Sequence, residues 1–267
     1  MLKDITLGQY FPGKTAVHRM DPRVKIVLTI AYIVLLFVVK NPLGYAVVFA
    51  IFAAVLAISK IPLKVVLKGV KPILFLVVFA SILNIFYNQD GRELLHFWII
   101  RVTTGGVQTA AFMSFRMVFL IMGTSLLTYT TSPIMLTDAI ERLLKPLKKI
   151  RVPVHELAMM MTIALRFIPT LIEETEKIMD AQKARGADFE SGNLLHRAKA
   201  LVPLLVPLFI SAFRRADELA IAMESRCYRG DIGRTRMKVL RVGRVDYLSI
   251  LFIALCYAGV IALNMIG

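Results

Sequence analysis

The sequence predicts an all-α integral membrane protein with about five transmembrane helices and long cytoplasmic amphipathic helices. Three observations carry that expectation. Hydrophobic residues make up 57% of the chain and the mean hydropathy is +0.69, whereas soluble domains stay near roughly 45–50% apolar. The apolar residues are gathered into five runs, near 24–39, 43–58, 70–86, 107–129 and 247–266, which approach the length of about 20 residues that crosses a bilayer. Finally, the segments between those runs are alternately rich and poor in Lys and Arg, the pattern of the positive-inside rule. The expected organisation is an N-terminal membrane part (1–130), a cytoplasmic helical region (131–245) and a last membrane helix (246–267).

Taken in order, residues 1–21 are polar and contain no signal-peptide core, so the first apolar run is expected to insert the chain. Asp21 suits the N-cap of that helix and Pro22 its first turn. Lys3, Lys14, Arg19, Arg23 and Lys25 precede the first run, and Lys40 alone follows it. Lys60, Lys64, Lys68 and Lys71 then precede the third run, with Arg92 and Arg101 after it. This alternation places the N-terminus in the cytoplasm, the 87–106 loop outside, 130–244 inside and the C-terminus outside. The net charge of +15 therefore reports orientation, and no nucleic-acid reader motif accompanies it.

The inner region carries 20 of the 33 basic residues together with many acids, a mixed-charge protein surface in place of a plain polybasic patch. Ser132 and Pro133 open a helix expected to reach Leu144, before Pro146. A second helix is expected over 154–183, apolar to Leu171 and charged beyond it, with a kink at Pro169 and a favourable Glu173 and Lys177 pair. A third is expected from about Leu194 to Arg226. It carries Leu204, Leu205, Leu208, Phe209 and Phe213 ahead of Arg214 and Arg215, and Pro203 and Pro207 are expected to bend it. Each of the last two ends on an arginine between small residues, Ala184-Arg185-Gly186 and Ser225-Arg226-Cys227. Gly186 and Gly230 are the expected terminators. Arginine at a helix C-terminus complements the helix dipole, yet two such tips also suit docking into acidic grooves, where guanidinium pairs bidentately with carboxylate.

Other motifs carry less. Residues 8–15 match the phosphate-loop pattern G-x-x-x-x-G-K-[ST], but that loop cradles phosphate only between a buried strand and a helix, and neither is expected here. Arg116 falls inside the fourth apolar run, where a cation normally faces the bundle interior and has a partner. His18, His96, His155 and His196 are too scattered for a zinc signature. Cys227 and Cys256 lie at different levels, so two free buried thiols are expected.

Gly8-Gln9-Tyr10, Asp21-Pro22-Arg23-Val24-Lys25, Arg166-Phe167-Ile168-Pro169-Thr170-Leu171 and the two arginine tips together make the whole chain resemble the transmembrane T component of energy-coupling factor (ECF) transporters, the micronutrient importers of prokaryotes. The resemblance implies a non-catalytic scaffold in the plasma membrane that joins two cytoplasmic ABC-type ATPases to one or several membrane S components, which bind the vitamin or metal ion. It implies that Ala184, Arg185, Gly186, Ser225, Arg226 and Cys227 dock the ATPases. Leu204, Leu205, Leu208, Phe209, Met159 and Met160 would meet the S component, and Asp21, Pro22, Arg23 and Lys25 would form a structural motif. No cofactor or metal is expected on this chain, ATP and Mg being held by the partner ATPases; besides these partners only the lipid bilayer, and no nucleic acid, is expected. Ser225-Arg226-Cys227 departs from the Ala-Arg-Gly pattern while keeping small flanks. Two alternatives are a T component dedicated to one vitamin or to cobalt and nickel, and a membrane nucleotidase using residues 8–15.

Overall fold

A computed structural model describes residues 10–87, 93–97, 100–189, 193–230 and 239–266. Gly8 and Gln9, with which two of the motifs begin, lie outside the described residues. In order come α1 (Ala16–Arg19), α2 (Pro22–Val38), α3 (Pro42–Ser59), α4 (Leu63–Tyr87), β1 (Glu93–Phe97), β2 (Ile100–Thr103) and α5 (Thr104–Thr130). Then follow α6 (Pro133–Leu144), a 3-10 turn (Lys145–Ile150), α7 (Val154–Ala184), α8 (Leu194–Ser225) and α9 (Arg244–Ile266). The antiparallel pair β1 and β2 is a small addition to an otherwise all-α membrane protein.

Local chemistry sets these boundaries. Asp21 accepts from the Arg23 N–H and Pro22 occupies the first turn of α2, Pro42 does the same for α3, and the Thr103 hydroxyl accepts from Gly106 N–H at 3.1 Å to cap α5. α3 stops where Lys60 turns left-handed, at φ 57°. Ser132 Oγ accepts from Met135 N–H at 3.4 Å, the capping expected for α6. α7 runs through Pro169, and α8 through Pro203 and Pro207, as single helices.

Among the described residues, five helices are long and apolar enough to cross a membrane, namely α3, α4, α5, α7 and α9. The number agrees with the sequence expectation, but the membership differs. α7 qualifies because its first half is apolar, and α2 falls short with 17 helical residues, at the lower edge of the spanning range.

The chain forms two compact units, one of residues 8–139 with 240–267 and the other of residues 140–239. In the first, α2, α3, α4, α5 and α9 enclose a core that includes Leu35, Leu36, Val48, Val66, Met122 and Val260. α2 and α5 approach closely because position 123 is glycine: a Cβ there would overlap the Tyr32 ring, and the Tyr32 hydroxyl donates to the Phe119 carbonyl at 3.1 Å. Ser81 and Ser114 join α4 to α5 at 2.6 Å. α9 is tied on by Tyr257 to the Ala31 carbonyl at 2.5 Å and by Asn264 to the Val38 carbonyl at 2.8 Å. These cross-helix bonds satisfy polar groups that lipid could not. Large exposed apolar residues such as Phe75 and Phe79 on α4 then face hydrocarbon.

Candidate functional site: two helix tips and a helix knot

The Asp21 to Lys25 motif ties a knot where four elements meet. The Asp21 carboxylate caps α2 and receives Arg23 Nη2 at 2.7 Å, while its own N–H donates to Asp246 Oδ1 of α9 at 2.9 Å. Asp246 Oδ2 also accepts from Gly243 N–H at 2.7 Å, so one carboxylate starts α9 and fastens it to α2. Lys25 is buried, and its ammonium donates to the Thr130 carbonyl at 3.0 Å, Thr131 Oγ1 at 3.2 Å and the His18 carbonyl at 3.5 Å. An ammonium has three donors, so this buried cation is fully bonded to the end of α5 and to α1. Asp246 escaped the sequence reading, although an acid three residues after Gly243 at the head of the last run is a capping signal.

The phosphate-loop match does other work. His18 Nε2 lies 3.0 Å from the Phe11 carbonyl and Nδ1 lies 2.7 Å from Thr15 Oγ1. A carbonyl only accepts, so Nε2 carries the hydrogen and the neutral imidazole is satisfied at both nitrogens. Gly13 is small because a Cβ would meet the His18 ring at 2.7 Å. Thr15 leads into a helix of four residues, too short to hold an anion. Burial pushes the His18 pKa below its ordinary value, with Lys25 acting in the same direction and the Phe11 carbonyl opposing.

The second unit presents the two arginines. α7 ends with Ala187 N–H donating to the Gln182 carbonyl at 3.0 Å and Gly186 N–H to the Lys183 carbonyl at 2.9 Å. α8 ends with Tyr228 N–H donating to the Met223 carbonyl at 3.0 Å and Cys227 N–H to the Glu224 carbonyl at 2.8 Å. Both are the same Schellman ending, in which Arg185 and Arg226 are the C-caps, with φ of −86° and −92°. The next residue is left-handed in each case, Gly186 at φ 87° and Cys227 at φ 55°. Cys227, and not the expected Gly230, therefore terminates the second helix, in a conformation disfavoured for any residue with a Cβ. Cys227 is also exposed, which corrects the expectation of two buried thiols. All six residues of the two tips are exposed.

α7 and α8 pack antiparallel. Arg215 donates to Glu174 at 3.0 Å, and the Tyr228 hydroxyl reaches Met159 Sδ at 2.9 Å. Glu174 lies eleven residues before Arg185, and Arg215 lies eleven residues before Arg226. The helices thus meet at equivalent positions, and each tip stands about 16 Å along its own helix from the crossing. Because the directions oppose, the tips lie at opposite ends of the pair, about 30 Å apart. The apolar face of α8 is continuous: Leu201, Leu205, Phe209 and Phe213 form one exposed row, with Val202, Val206 and Ile210 beside it. Leu157, Met160 and Met161 are exposed on α7. Leu204 is 3% exposed, Met159 is engaged by Tyr228, and Leu208 is half-buried.

Arg116 finds its partners in aromatic groups. Its Nη2 donates to the Tyr45 hydroxyl at 3.3 Å and its guanidinium lies 5.4 Å from the Phe37 ring centroid. Both contacts sit at the ends of α2 and α3, where a cation–π pair fits a structural role.

Fold and site together define a multi-pass α-helical membrane protein whose accessible chemistry is two like helix tips and an apolar helix face. A family model described as cobalt transport protein matches residues 13–239. The chain is 57% identical to the energy-coupling factor transporter transmembrane protein EcfT of Ruminiclostridium cellulolyticum, over 93% of this chain and 92% of the relative. The EcfT of Clostridium kluyveri is 58% identical, over 93% of each chain, and that of Bacillus subtilis 48%, over 90% and 91%. The chain belongs to the EcfT family of energy-coupling factor transporter transmembrane components.

Proposed function

We propose that this protein is the mechanical coupler of an ECF-type importer. It joins two cytoplasmic ABC-type ATPases, which hold ATP and Mg, to a membrane S component that binds a vitamin or another micronutrient. Arg185 and Arg226 each enter an acidic groove of one ATPase. Residues 131–245 act as the cytoplasmic coupling region, the N-terminus faces the cytoplasm and the C-terminus faces outside.

The observation that carries this reading is the equivalence of the tips. Two exposed arginines cap helices with one hydrogen-bond pattern and stand equally far from a crossing at Glu174 and Arg215. A local two-fold relation of that kind suits a pair of like ATPases. When ATP draws the pair together, force enters at both tips and turns α7 against α8. The rows at Leu205 and Phe209, continued by Met160 on α7, then pass that movement to the S component.

Purification in mild detergent with quantitative mass spectrometry tests the assembly. Two ATPase copies and at least one small membrane protein are expected with the native chain. Absence of any ATPase would overturn the proposal. One kind of S component would mark a dedicated transporter of the cobalt type, several kinds a shared module.

A further inference from the structure

The transmembrane unit contains an apolar cavity of about 380 Å³ at the end of the bundle crossed by α1, within the size range of small-ligand pockets. It lies among the first turns of α2 and α9 and the last turns of α3 and α5, with α1 over it. Tyr32, Phe52 and Leu126 form a buried floor, while Ile58, Leu248 and Phe252 at its mouth are 51%, 65% and 47% exposed. At the opposite end α3 is tied to α9 by Asn41, which donates to the Leu263 carbonyl at 3.1 Å.

Every polar side chain in the lining is already bonded within the protein. Lys25 is bonded as described, Thr29 donates to the Lys25 carbonyl, Tyr32 to Phe119, Thr130 to Leu126 and Ser249 to Val245. The walls offer a ligand no free hydrogen-bond donor and are otherwise apolar, which suits hydrocarbon. The exposed charges of the rim, beside the lining, are basic, since the two acids equally near it, Asp21 and Asp246, are buried. Arg19, Lys60 and Arg244 lie within two residues of lining positions, all three are exposed, and none forms an ion pair with a described residue.

We propose that this cavity holds an acyl chain of an acidic phospholipid whose phosphate sits against that rim. The lipid fills the space that α3 and α9 leave between them and steadies the knot at Lys25 and Asp246 from the membrane side.

The test uses the full chain in phosphatidylcholine vesicles doped with phosphatidylglycerol carrying a photoactivatable acyl chain, with the same label on phosphatidylcholine as the second arm. Labelling of the floor and mouth residues by the acidic probe is expected to exceed labelling of Phe75 and Phe79 on α4, which meet bulk lipid. Ala54→Trp, which fills the cavity, should bring it down to the α4 level. Replacing Arg19, Lys60 and Arg244 by Gln should lower acidic-probe labelling about five-fold per residue, the contribution one basic residue makes toward acidic lipid. Equal labelling of cavity and α4 in the native chain, equal labelling by both probes, or labelling unchanged by Ala54→Trp would overturn the proposal. So would protection of the cavity in the intact transporter, which would assign it to a partner segment. The native-chain map decides the matter even where a variant folds poorly.

Discussion

At the scale of single residues, Arg185 and Arg226 keep the two readings offered by the sequence compatible with each other. Each is the C-cap of its helix, and each is exposed. Truncating one partner of a buried charged pair costs about 2–5 kcal/mol, so Arg185→Glu and Arg226→Glu should each weaken ATPase capture by orders of magnitude in a pull-down, with membrane insertion intact. Cys227 makes a different prediction. Cys227→Gly removes a Cβ from the left-handed region and should stabilise the tip by about 1 kcal/mol, read as a higher melting temperature with transport retained; Gly186→Val should act in the opposite direction. The sequence could not disclose this, because Gly230, three residues further on, offered an easier left-handed position.

His18 gives the protein a pH dependence whose sign is fixed. Its folded pKa lies below the ordinary value, so both states are neutral at neutral pH and the associated stability is fully present there. As pH falls through about 6.5 the unfolded state binds the proton first, and stability is lost progressively below that point. Thermal unfolding at about pH 7.5 and about pH 5.5 should show this loss in the native protein and a smaller one in His18→Gln.

At the scale of elements, the crossing of α7 and α8 positions both tips. Glu174 and Arg215 are partly exposed, and such pairs contribute about 0–1 kcal/mol. Glu174→Arg or Arg215→Glu alone should therefore reduce coupling more than stability, and the charge-swapped double variant should recover uptake. The pair was legible in principle, since 174 and 215 have the same separation as 185 and 226. Which apolar row of α8 faces outward was not legible. From Leu201 to Phe213 the helix is apolar nearly all round, so Leu204 and Leu205 look alike until packing buries the first. Phe209→Asp on the exposed row should release the S component while leaving the ATPases bound.

At the scale of the whole molecule, the bundle of the first unit and the long pair α7 and α8 of the second are different kinds of object. Apolar runs and cap residues made α3, α4, α5, α6 and α9 readable, because burial in lipid needs length and a start signal. Long-range polar bonds were not readable: Asp21 and Asp246 are 225 residues apart, and no periodicity marks such a pair. The knot around Lys25 holds α1, α2, α5 and α9 in register, so Lys25→Met should cost about 1–3 kcal/mol by leaving buried acceptors unpaired. The expected readout is lower yield of folded protein in detergent.

Transfer of force from two ATPases to the two equivalent arginine tips, as proposed, is tested most directly by the stoichiometry of ATPases copurified with the native chain, with each single Arg→Glu variant and with the double variant, all at equal membrane content. Two copies with the native chain, weakened capture with either single variant and none with the double variant is the predicted result. Full capture of both ATPases by the double variant, with uptake unchanged, would contradict it.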